Sequence, residues 1–261
     1  MTQTLTRPHL HSSQLIRTLT ELSLVIAVEP GQGFAEDLSL WVDFNHAITL
    51  RSVLSAGALD SANSSAAPTA PRLERGTLPS EALARLRGEL ASAMDVAGLR
   101  RLAHTQALQC AEAGEPLDVD AAFEPYRRHH VAQQRDMAVK IRALREQVRT
   151  ALAQMSPALK TLAELDAAFD AVLREREDKL FAGVPLMLAQ RFAHLFHNHQ
   201  QALACPPCAD QPATWAKPGG WLARLCDELQ AVLLAELDVR LQPVLGLVAA
   251  LENTTSQKNR D

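Results

Sequence analysis

The sequence predicts an all-α protein, and three observations carry that prediction. Ala and Leu dominate the 261-residue chain, and both are strong helix formers. Aromatic residues make up only 4%, with a single Tyr, and there are 11 glycines; a sandwich or barrel needs more aromatic residues and more turn glycines. Apolar residues also recur at three- and four-residue steps over long stretches, the period of a helix with one buried face. The architecture expected is a helical bundle with a long central helical hairpin or rod and a flexible Ala/Ser/Pro-rich linker.

The elements follow in order. Residues 10–28 predict a helix with Leu15, Ile16, Leu19, Leu22 and Ile26 on one face, ended by Glu29-Pro30-Gly31. Residues 34–54 predict a second, carrying Phe34, Leu38, Trp41, Val42 and Ile48. Residues 55–79 are rich in Ala, Ser and Pro and read as a flexible linker. Ser80 reads as an N-cap for a helix with Leu83, Leu86, Leu90, Met94 and Leu99 that runs to about Cys110. Pro125 suits a first helical turn, and Met137, Ile141, Leu144, Val148, Leu152 and Met155 follow as one stripe. Ser156-Pro157 opens the next helix, whose stripe is Leu159, Leu162, Leu165, Phe169, Val172 or Leu173, and Leu180. Both stripes resemble coiled-coil seams, which pair within one chain or between two copies as a homodimer. Gly183-Val184-Pro185 reads as a break, residues 186–203 as a helix, and residues 205–220 as a Pro-rich loop. Residues 221–241 form a helix that Pro243 kinks or restarts, to about Leu251, with Trp41 and Trp221 expected in the core. Domain organisation is then 1–54, a helical pair; 55–79, the linker; 80–252, the main helical domain; and 253–261, a polar, fraying tail.

Net charge is −4, so bulk attraction to nucleic acid or anionic membrane is not expected. The longest apolar run, near residues 244–251, falls far short of the roughly 20 residues that span a bilayer. With no signal-peptide pattern and no disulfide framework in four cysteines, the chain reads as cytoplasmic.

Three constellations carry possible chemistry. Arg128, Arg135, Arg142 and Arg149 recur every seven residues, flanked by Tyr126, Arg127 and Arg145. Such a row suits successive phosphates of a nucleic acid, an acidic partner surface, or ion pairs with the acidic residues of the following helix: Glu164, Asp166, Asp170, Glu175, Glu177 and Asp178. Cys205 and Cys208 form a CxxC that supplies two of four zinc positions, with His194 and His199 among the nearby completions; no second CxxC exists, and a plain loop holds the two thiols equally well. His129-His130 sits beside Tyr126 and the arginines; the pair suits acid–base work in principle, but no nucleophile or carboxylate pair is placed near it by sequence, so it reads as a surface or interface pair. Neither a nucleophile elbow nor a phosphate loop nor an H-E-x-x-H is present, so neither a cofactor nor enzyme activity is expected.

Three stretches carry a family resemblance: Phe34 to Leu50 with Leu15 to Leu22 ahead of it; Pro125-Tyr126-Arg127-Arg128 to Arg135, on through Ser156-Pro157 to Val184-Pro185; and Leu233 to Leu247, with Glu236, Asp238 and Arg240. Together they resemble a bacterial family of unknown function that is similar to an accessory subunit of type III Zorya anti-phage defence systems. That resemblance implies a cytosolic accessory factor beside a motor complex similar to MotA/MotB. Its partners would be other defence proteins. No catalytic residue carries over with it.

Overall fold

A computed structural model describes residues 13–24, 47–48, 50–52, 55, 78–113, 118–204 and 210–258. The protein is all-α, with no strand among the described residues. Seven helices have defined bounds: α1 (Gln14–Glu21), α2 (Pro79–Ala93), α3 (Val96–Ala113), α4 (Val119–Met155), α5 (Pro157–Ala204), α6 (Pro212–Trp215) and α7 (Trp221–Lys258). Trp41, most of the expected 34–54 helix, most of the 55–79 linker, and Cys205 and Cys208 lie outside the described residues.

Several boundaries differ from expectation. Pro125, Pro185 and Pro243 each lie inside a continuous helix, of 37, 48 and 38 residues respectively. Helix α4 starts six residues before Pro125, where the Asp118 carboxylate accepts from the backbone N–H groups of Asp120 and Ala121 at 3.1 and 3.3 Å. Helix α7 runs through the stretch expected to fray, to Lys258. The helix expected from Ser80 to Cys110 is two, α2 and α3, parted at Met94-Asp95. Carbonyls at the end of α2 are met by side-chain amides instead: Gln230 donates to Met94 at 3.2 Å and Gln133 to Ala93 at 3.5 Å. Ser80 is already inside α2, which begins at Pro79. The opening of α5 is as read: Pro157 stands at its first position, and the Ser156 hydroxyl accepts from the Leu159 N–H at 3.3 Å.

The chain forms two compact units, each assembled from separate stretches. The first takes residues 1–28, 90–136 and 183–239. Its core holds Leu90, Met94, Leu99, Leu188, Leu225, Leu229 and Leu233, all at most 1% exposed. An aromatic chain runs through it: Phe123 and Tyr126 meet Phe192, which meets Trp221 edge-on at 5.2 Å, and Trp221 meets Phe196 and Trp215 at 5.5 Å each. Trp221 is therefore a core residue, as its stripe predicts. Helix α1 contributes Leu15 and Leu19, while Ile16 turns outward.

The second unit takes residues 29–89, 137–182 and 240–261. Here the end of α4 and the start of α5 form an antiparallel hairpin about Ser156, in which the α4 stripe packs within the chain; of the α5 stripe Leu159 and Val172 are buried, Leu162, Leu165 and Phe169 are half-buried, and Leu180, expected on the same face, is 68% exposed. Met137, Ile141, Leu144, Val148 and Leu152 are buried, and only Met155, at the tip, is half exposed. The seam of α4 is thus consumed in the chain's own core. Leu241, Val244, Leu247 and Leu251 of α7 are buried in the same unit.

Candidate interaction surface

The arginine row of α4 does not form one exposed face. In the second unit, Arg145 grips Asp166 with two parallel bonds (Nε–Oδ2 2.8 Å, Nη2–Oδ1 2.6 Å) and reaches Asp170 at 3.0 Å. Arg149 shares both carboxylates, with Nε 2.7 Å from Asp166 Oδ2 and Nη2 3.2 Å from Asp170 Oδ2. Arg174 adds a third guanidinium to Asp170 at 2.7 Å. Burial alone would raise the Asp170 pKa, but Arg145, Arg174 and Arg149 outweigh it and hold the carboxyl below its ordinary value. Arg149 is buried and Arg145 nearly so. Both clamp the hairpin, so they are withdrawn from the expected contact surface.

Tyr126 is withdrawn as well. It is 1% exposed, and its hydroxyl donates to Gln106 Oε1 at 2.8 Å. Gln106 in turn donates to the Ala122 carbonyl at 3.0 Å. Burial pushes the phenol pKa upward. Arg127 and Arg128 are exposed but share Glu124, at 2.6 and 2.8 Å, and their hydrogen bonds pull that carboxyl down to about 2.

What remains of the row is Arg135 and Arg142. Both are exposed, and neither has an ion-pair partner among the described residues. Between them on the same helix, four residues after one and three before the other, stands Val139, 64% exposed.

The histidines near the CxxC are engaged separately. His194 pairs with Asn198 at 3.0 Å, and His197 with Gln201 at 2.8 Å. His199 meets Asp210 at 3.0 Å, stacks on Trp221, and shares that carboxylate with the Trp215 indole N–H at 2.8 Å. His194 and His199 therefore turn to different partners. Among the described residues no three His, Cys, Asp or Glu side chains are grouped to hold a metal. Beside His199, Trp215 and Trp221 opens a cleft of about 550 Å³ that Lys217 and Arg224 also line.

One polar cluster was not foreseen. His130 is 1% exposed and Glu236 0%, which places His130 in the core of the first unit rather than on a surface. Its Nε2 lies 2.7 Å from Glu236 Oε1, and Gln134 donates to Glu236 Oε2 at 2.8 Å. The nitrogen that faces the Glu236 side chain is thus Nε2. His130 Nδ1 and His129 Nε2 are buried with no hydrogen-bond partner among the described residues, and burial lowers the His129 pKa. The one local signal was Glu236 itself, a carboxylate in register with the apolar stripe of Leu229, Val232 and Leu233. A second buried pair in the same unit, Arg191 with Glu228, is bidentate at 2.8 and 2.7 Å.

No helix among the described residues is long and apolar enough to cross a membrane. No curated protein and no solved structure matches the chain. A family model described as "Protein of unknown function (DUF3348)" matches residues 1–253. The chain belongs to that family.

Proposed function

We propose that this DUF3348 protein is a non-enzymatic accessory subunit of a bacterial anti-phage defence system of the type III Zorya kind. It works in the cytosol through protein–protein contacts with a motor-containing complex. The observation that carries the contact reading is that Arg135 and Arg142 of α4 are exposed and have no ion-pair partner among the described residues, while their neighbours Arg145 and Arg149 are tied to Asp166 and Asp170.

The test is a tagged, full-length pull-down from the native host with nuclease treatment. Motor subunits should be recovered, and R135E/R142E should lose them with helicity unchanged. Unchanged capture by the double variant sinks the surface assignment.

Nucleic-acid binding is the second reading, because it uses the same two arginines. Two phosphate contacts give a slope of only about −1.8 in log K against log salt, so binding would be weak without further cations. A zinc module would rest on Cys205 and Cys208; metal analysis of fresh protein with well under one zinc per chain removes it.

A further inference from the structure

We infer that the cleft beside Trp215 and Trp221 binds a small planar aromatic anion, a flat ring system that carries a carboxylate or a phosphate. Every residue that lines it lies between Leu195 and Arg224, so the site belongs to the first unit alone. It shares no residue with the arginines of the contact reading, and neither result decides the other.

The walls are aromatic and held in place. Trp215 and Trp221 stand 5.5 Å apart, and the His199 ring meets the first edge-on at 5.9 Å and the second stacked at 6.2 Å. One Asp210 oxygen accepts from the Trp215 indole at 2.8 Å and pairs with His199 Nε2 at 3.0 Å, so a single carboxylate orients both rings. The Trp221 indole N–H is buried with no hydrogen-bond partner among the described residues. Two glycines shape the loop beside these rings: Gly219 takes a φ of 86°, and a Cβ at Gly220 would overlap the Trp215 carbonyl. The cleft, of about 550 Å³, has the size of a small-molecule site. Rings already fixed in position reduce what binding costs in ordering.

The charge decides the ligand's sign. Aromatic walls alone suit a cation as well, but Lys217 and Arg224 line this cleft and no carboxylate does. Lys217 is exposed and has no ion-pair partner among the described residues. Arg224 gives only its Nε to Glu228, at 2.8 Å, and that carboxylate is already gripped by Arg191 through two bonds. The Nη groups of Arg224 remain for an anion. A neighbouring cleft of about 620 Å³ shares Arg224 and the same two glycines, yet Glu21, Asp227 and Glu228 line it and no aromatic ring does. Rings and unopposed cations coincide on one side of the loop, not on the other.

The test titrates the full chain by calorimetry with adenosine monophosphate and with indoleacetate, an aromatic phosphate and an aromatic carboxylate. Adenosine, tryptamine and inorganic phosphate are the counterparts. At least one of the two anions should bind with a Kd below about 1 mM, and at least about tenfold more tightly than any counterpart. Which of them binds separates phosphate from carboxylate ligands. Binding should also move the indole N–H resonances of Trp215 and Trp221. K217E/R224Q should weaken binding at least about tenfold with helicity unchanged. Lys217→Glu alone, at an exposed side chain, should weaken it at least about threefold and serves where the double variant misfolds. Lys217→Arg should keep most of the affinity. The inference is overturned if neither anion binds, or if a counterpart binds as tightly. It is overturned equally if both indole resonances stay put, or if charge reversal at Lys217 changes nothing.

Discussion

Glu236 has no solvent contact, and His130 and Gln134 of α4 supply two of its hydrogen bonds. Removing the carboxylate takes that shared acceptor from both in a dry core, which costs more than the bonds themselves are worth. Glu236→Ala should lower unfolding stability by about 3–5 kcal/mol, read as a shifted urea midpoint with an unchanged slope. Glu236→Gln keeps the volume and an acceptor and should cost less. A second prediction sits at Cys226, a buried thiol that burial and the neighbouring Asp227 push up to about 12. The thiolate is the reactive species. In the folded protein, Cys226 should therefore resist alkylation at neutral pH and react only once denaturant is added, checked by mass spectrometry of tryptic peptides. Rapid labelling of the native chain would contradict the burial.

At the scale of the helix, the interior prolines are the informative feature. Pro243 is exposed within α7 and cannot donate to the Val239 carbonyl four residues back. Pro243→Ala should stabilise the protein by about 1–3 kcal/mol, since it restores that bond without removing a packed side chain. Gly246 and Gly88 are also mid-helix with open space where a Cβ would stand. Alanine at either should add about 1 kcal/mol. Thermal melts of the three single variants check the set, and a lower midpoint for Gly246→Ala would show a neighbour not accounted for.

The same prolines explain what the sequence could and could not tell. The apolar stripes from Met137 to Leu152 and from Leu225 to Leu237 were legible because burial repeats with the helical period. Ser156-Pro157 was legible because capping is local. The continuity of α5 through Gly183-Val184-Pro185 was not, because packing along a long helix overrides the local penalty of one proline. The arginine row was legible as a row. Which of its members stay free depends on Asp166 and Asp170 arriving across the hairpin, a tertiary fact. His130 and Glu236 lie 106 residues apart, and nothing local in either position names the other.

Across the whole molecule, paired carboxylates set the response to acid. Asp170 and Glu228 are both held below their ordinary values: burial opposes this, and the guanidiniums around each prevail. A depressed carboxyl contributes stability that is complete above the unfolded pKa and is lost as pH falls through the folded one. Glu177 runs the other way, raised chiefly by burial, and so works against that loss on acidification. Glu124 and Glu175, both exposed, are lowered too by their own ion pairs, so four carboxyls shift down against one up, and the urea midpoint should fall between about pH 5 and pH 3. Arg191→Ala should lower stability at neutral pH by about 3–5 kcal/mol and flatten that fall, because Glu228 then keeps only Arg224. An unchanged pH profile in that variant would remove Glu228 from the account.

Each of the three longest helices belongs to both compact units: α4 passes from one to the other after Asp136, α5 after Ala182 and α7 after Val239. No single cut in a loop separates the two units. Gene fragments chosen by loop boundaries, as in two-hybrid libraries or deletion series, would therefore encode pieces of both units and isolate neither. A negative result from such a fragment reports on folding before it reports on binding. For the cloner and the geneticist this chain is one indivisible cassette, and the family match that runs from residue 1 to residue 253 has that same undivided extent.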